Sequence, residues 1–168
     1  MKHLILLRHA KAAAGAESAD HARPLNHRGR AEAAWIAGRF ASQPVPDLVL
    51  CSTSTRTRET LDLAGTGWRG AAPVRYDRVL YLAEAATLIG HIASAVEDAV
   101  DRLLLVGHNP GLHDLALHLA QRAPALAALR SHFPPGAQAA FAIDAEHWSD
   151  LETAPITLES FAVPPRDD

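Results

Sequence analysis

Three short stretches hold the side chains best suited to chemistry: LLRHAK at 6–11, CSTSTRTRET at 51–60 and VGHNPG at 106–111. Between them they supply Arg8, His9, Arg56, His108 and Asn109. Arginine grips phosphate oxygens in a two-pronged fork, and imidazole is both a nucleophile and a hydrogen-bond donor. A neutral imidazole among such cations can attack phosphorus and carry the phosphoryl group as a covalent intermediate. Phosphoryl transfer needs little beyond positioning and charge neutralisation, which arginines and a second imidazole can supply. Taken singly, each of these residues reads as a surface cation or a hydrogen-bonded structural histidine. The case rests on their joint placement.

That placement comes from the elements around them. HLILLR (3–8), DLVLCS (47–52) and RLLLVG (102–107) are short apolar runs of buried-strand length. Helical spacing lies between and after them. It runs over 28–42 (Ala31, Ala34, Trp35, Gly38 and Phe40 or Ala41), 85–99 (Leu88, Ile89, Ile92, Val96) and 111–121 (Leu112, Leu115, Ala116, Leu119). This alternation predicts an α/β fold, with a mostly parallel central sheet between helical layers. The segments 137–144 and 155–163 read as strands nearer the sheet edge, in antiparallel order, and FPPGA at 133–137 reads as a turn. Ligands of open parallel sheets bind beyond the carboxyl ends of the strands. Arg8-His9, Ser52 to Arg58 and Gly107 to Gly111 all fall at such ends. Asn109 and Ser54 or Thr55 read as helix N-caps, and helix N-termini favour anions.

Composition narrows the classes. The chain has 168 residues, 48% apolar and 21% charged, which suits one soluble domain spanning 1–168. No apolar run approaches the ~20 residues of a membrane span, and the N-terminus lacks the form of a secretory signal. Neither a membrane nor a nucleic acid is expected as partner, the latter because the net charge is −3. Cys51 is the single cysteine, which fits a cytoplasmic location. Residues 1–60 hold nine Lys/Arg against five Asp/Glu, whereas residues 61–168 hold seven against fourteen. A positive first third in an acidic chain points to a local anion site.

The three stretches, in this order, resemble the histidine phosphatase (phosphoglycerate mutase-like) superfamily. Arg8-His9 matches its Arg-His pair after the first strand. Ser52, Arg56 and Thr60 match its Ser-x-x-x-Arg segment with a threonine four residues on, and Gly107-His108 matches its later Gly-His. Asp20, Arg23, Pro24, Leu25 and Gly29 resemble a segment of the SixA-like phosphohistidine phosphatase branch. The Ala10-Lys11-Ala12 that follows His9 departs from the mutase form. The resemblance implies a three-layer α/β/α sandwich and a metal-independent phosphatase without cofactor. It assigns His9 as nucleophile and Arg8, Arg56 and His108 as the phosphate pocket, with Asn109 beside them. The general acid is Glu84 or Asp20, and the role of Arg58 stays open between phosphate contact and solvent. The implied substrate is a phosphorylated protein, histidine-phosphotransfer domains included, or a small phosphate ester.

Two other chemistries fail on spacing. A cysteine-dependent phosphatase needs an arginine six residues after Cys51, where Thr57 stands. No GxxxxGK[ST] loop and no HExxH or Cys/His cluster with metal-ligand spacing is present. A phosphate-binding module without turnover would need the arginines but no poised imidazole.

Overall fold

The computed structural model describes residues 1–15, 19–68, 70–121 and 127–166. Strand β1 (Lys2–Arg8) is followed by helix α1 (His27–Phe40), β2 (Leu48–Ser52), α2 (Thr55–Ala64), β3 (Val74–Asp77), α3 (Ala85–Ala95), β4 (Arg102–Gly107), α4 (Gly111–Ala120), the short α5 (Ala127–Ser131), β5 (Gln138–Ile143) and β6 (Ile156–Ala162). The strands form one sheet in the order β3-β2-β4-β1-β5-β6. The first four neighbours run parallel, and β5 and β6 are antiparallel on the β1 side.

β1, β2 and β4 are buried on both faces, which is why their sequences are unbroken apolar runs rather than alternating ones. Leu4, Leu6, Leu50, Leu103 and Leu105 point into a core closed by Leu88 and Ile92 of α3 and Leu112, Leu115 and Leu119 of α4. Ile5, Leu7, Val49, Cys51, Leu104 and Val106 point the other way, against Ile36 and Phe40 of α1 and Leu61 of α2. The sheet is therefore the middle layer of three.

Register fixes what the strand ends bring together. β4 lies between β1 and β2; Arg8 pairs with Gly107, and Cys51 with Val106, so Ser52 falls level with Gly107. Arg8-His9, Ser52 and His108 leave the sheet side by side.

Two elements lie outside the expected set, and two expectations need correction. β3 was not anticipated: it is an edge strand whose Val74, Arg75 and Tyr76 are exposed, so VRYD carries no apolar run. The short α5 was likewise not anticipated. The buried face of α1 is Gly29, Glu32, Ala33, Ile36 and Phe40, whereas Ala31, Ala34 and Gly38 face solvent. Alanine marks neither face, and a buried glutamate hides the true one. Finally, α4 starts at Gly111 with Pro110 in the cap position and no side-chain cap. Asn109 turns away, and its Nδ2 donates to the Phe133 carbonyl at 2.8 Å.

Candidate active site

Beyond the ends of β1, β2 and β4 lies an open pocket of about 320 Å³, lined by Arg8, His9, Arg56, His108 and Asn109 and by Lys11, Asp20, Arg23 and Leu82 at its rim. His9 and His108 face each other with ring centroids 5.3 Å apart.

Arg56 sits between the two rings and settles both tautomers, because a guanidinium can only donate. Its Nε donates to His9 Nε2 at 3.3 Å, and the ring's other nitrogen, Nδ1, donates to the Ala10 carbonyl at 2.7 Å. His9 therefore keeps an Nε2 lone pair in the pocket. Arg56 Nη2 donates to His108 Nδ1 at 3.4 Å, so His108 Nε2 carries the proton and donates to Ser52 Oγ at 2.8 Å. Burial, then the neighbouring cations, pushes His9 down to about 3. Burial, then the His9 and Arg56 charges, pushes His108 down to about 3 as well. Both rings are neutral near pH 7.

The arginines are anchored at one edge and free at the other. Arg56 Nη1 donates to the Asp20 carbonyl at 2.8 Å and Nη2 to Asp20 Oδ2 at 3.0 Å, shorter than its contacts to the histidines. Arg8 Nη1 donates to the Phe133 carbonyl at 3.0 Å, while its buried Nε has no hydrogen-bond partner. The long contacts and the unpaired N–H are donors an incoming anion can use.

The sequence around these residues builds the mount. Ser54 caps α2 by accepting from the Thr57 amide. Thr60, one turn after Arg56, accepts from the Ala10 amide at 3.0 Å and donates to the Arg56 carbonyl at 2.7 Å. It ties the chain just after His9 to the helix bearing Arg56. The turn expected at FPPGA braces the other side, since the Gly136 amide donates to the Arg8 and His9 carbonyls. Gly136 has φ +78°, and a Cβ there would stand 2.7 Å from Pro164 Cγ, so the turn requires glycine.

Asp20 lines the pocket; Glu84 does not. Asp20 Oδ1 accepts from Arg23 at 3.0 Å, and Oδ2 accepts from Arg56 and from the Tyr81 hydroxyl. Tyr81 and Arg56 hold its carboxyl far below the usual carboxylate range. Glu84 is exposed at the start of α3, and its side chain makes no cap bond. Arg58 is also outside the pocket, stacked 4.0 Å over Tyr76 with Nε donating to the Thr53 carbonyl. Cys51 is buried with its thiol pushed up to about 12 by burial.

A profile described as histidine phosphatase superfamily (branch 1) matches residues 4–84. An uncharacterized protein of Mycobacterium tuberculosis is 41% identical over 163 residues, 94% of this chain and 99% of that one. The solved structure of a candidate phosphohistidine phosphatase SixA from Nakamurella multipartitia is 30% identical, covers 97% of this chain and 96% of its own, and superposes with a TM-score of 0.84. A second SixA candidate, from Agrobacterium tumefaciens, is 34% identical over 97% of this chain and 98% of its own, with a TM-score of 0.80.

The chain is a SixA-like member of the histidine phosphatase superfamily. In this SixA-like chain Tyr81 is the contributor that sequence reasoning passed over. Its hydroxyl holds Asp20, and its ring stands edge-on to His108 (5.4 Å) and His21 (4.8 Å). Its one signal in the sequence is its position three residues before Glu84. The Phe133 carbonyl, which aims Arg8 and Asn109, is a backbone group and has no signature in residue type.

Proposed function

We propose that this chain hydrolyses protein phosphohistidine through a covalent phosphoryl intermediate on His9, without a metal ion. The observation that carries the reading is a neutral nucleophile among cations with, among the described residues, no protonated carboxylic acid beside it. Asp20 is held ionised and Glu84 stands outside the pocket lining. Such a site suits a leaving group that departs without strong acid assistance. Alkoxides are poor in that respect, because alcohols have pKa values near that of water, about 15.7. A protonated phosphohistidine ring leaves as neutral imidazole, whose conjugate acid has a pKa of about 6.5.

In the first step His9 Nε2 gives its lone pair to phosphorus, the substrate P–N bond breaks, and that electron pair stays on the departing imidazole. Nδ1–H donating to the Ala10 carbonyl steadies the positive ring so formed. Arg8 Nε and the Arg56 N–H groups released from the histidines take the phosphoryl oxygens. Water then attacks phosphorus, the His9 P–N bond breaks, its electron pair returns to Nε2, and both water protons leave with the phosphate as H2PO4⁻.

Brief mixing with labelled phosphohistidine protein and an alkaline quench should leave label on His9, since phosphohistidine is acid-labile and base-stable. His9→Ala should lose both label and turnover, and excess EDTA should leave turnover intact. Full turnover by the His9→Ala variant would end this reading.

A further inference from the structure

The phosphate pocket does not close behind Lys11. Lys11 and Pro135 also line a second cleft of about 280 Å³, completed by Arg28, Glu32, Pro134, Val163, Pro164 and Arg166. Lys11, Arg28 and Arg166 are exposed, and among the described residues none of their side chains has an ion-pair or hydrogen-bond partner. The one acid in the cleft, Glu32, is buried and already engaged: its Oε1 accepts from the Lys11 amide at 2.8 Å, and its charge faces Arg8. Three cations without a partner among the described residues thus continue the pocket in a chain whose overall charge is −3.

We propose that this cleft is a second anion subsite, where Lys11, Arg28 and Arg166 receive carboxylates flanking the phosphorylated side chain of an acidic protein partner. The inference rests on the phosphohistidine reading above and adds the character of the partner surface. The walls bind through side-chain cations rather than backbone N–H groups, because Pro134, Pro135 and Pro164 have none. What remains is long, exposed cations over stiff proline edges, which suits dispersed side-chain carboxylates on an extended segment. Such contacts are screened by salt over about 8 Å at physiological ionic strength.

The test uses two synthetic peptides with a stable phosphonate analogue of phosphohistidine at the centre, flanked on each side by glutamates in one and glutamines in the other. Binding to the full chain is measured by calorimetry at low and physiological salt. The glutamate peptide should bind roughly 3- to 10-fold tighter, as two or three exposed ion pairs allow, and salt should shrink the difference. The Arg28→Gln/Arg166→Gln variant should lose the preference while keeping the wild-type melting temperature. Equal affinity of both peptides for the wild type, or a preference that survives in the variant, would overturn the proposal. Failure of the phosphohistidine reading appears separately, as wild-type protein that leaves authentic phosphohistidine intact.

Discussion

Arg56 donates to different nitrogens of the two histidines, Nε2 of His9 and Nδ1 of His108. The same cation therefore leaves one ring with its lone pair in the pocket and locks the other onto Ser52. The four residues Arg8, His9, Arg56 and His108 were legible in the sequence because each lies at or just past the end of a strand whose apolar run is unmistakable. The acid was not legible, because one carboxylate looks like another until its neighbours are known. Those neighbours set the expectation for mutants. Asp20 is an ionised anchor for Arg56, and Glu84 is a solvent-exposed side chain. Asp20→Asn and Glu84→Gln should each lower phosphohistidine turnover by less than about 10-fold, below the roughly 10²–10⁴ that general acid catalysis contributes. Steady-state rates on a phosphohistidine protein and on a small alkyl phosphate decide the matter. Rapid wild-type turnover of the alkyl ester alone, with one carboxylate essential, would mean a metabolite phosphatase on this fold.

Between elements, close approach matters more than periodicity. The expected spans of β1, β2, β4, α3 and α4 agree with the observed ones to within a few residues, because buried runs and leucine spacing are strong signals. β3 and the buried face of α1 were not readable, since an exposed edge needs no apolar residues and α1 buries Gly29 and Glu32 for the site's sake. The start of α4 shows the same logic. A Cβ on Gly111 would stand 1.9 Å from the Ala83 carbonyl oxygen, so only glycine lets α4 lie against the segment carrying Tyr81. Gly90, inside α3, has open space around it. Gly111→Ala should therefore destabilise by roughly 1–3 kcal/mol, the cost of forced overpacking, and should depress turnover with it. Gly90→Ala should stabilise by about 0.5–1 kcal/mol through helix propensity and a less flexible unfolded chain. Denaturant midpoints measured on the two variants should move in opposite directions. Equal shifts would show that the contact at Ala83 does not constrain the fold.

Across the whole molecule, the site makes folding depend on pH. His9 and His108 are 7% and 3% exposed and are both held near a pKa of about 3, against about 6.5 in an unfolded chain. Between these values the unfolded state binds protons that the native state refuses, so stability rises with pH and is lost as pH falls from about 6.5 toward 3. Each histidine contributes a slope approaching about 1.4 kcal/mol per pH unit in that window. From pH 7 to pH 5 the pair should remove roughly 4 kcal/mol, a sizeable part of the 5–15 kcal/mol typical of a domain. Other groups bear on the curve as well. His147, raised by its hydrogen bond with exposed Asp98, works in the opposite sense: its contribution is present below its unfolded pKa and is lost as pH rises. Asp20, Glu97, Asp98 and Asp101, each lowered by its partners, act only at and below the ordinary carboxylate range, outside this interval. Comparison with a His9→Gln/His108→Gln variant cancels these contributions. Urea unfolding at steps from pH 7 to pH 5 should show the wild type losing stability steeply and the double variant much less. Parallel curves would mean that the two rings take up protons in the folded protein as readily as in the unfolded chain, and the neutral nucleophile proposed for His9 would lose its basis.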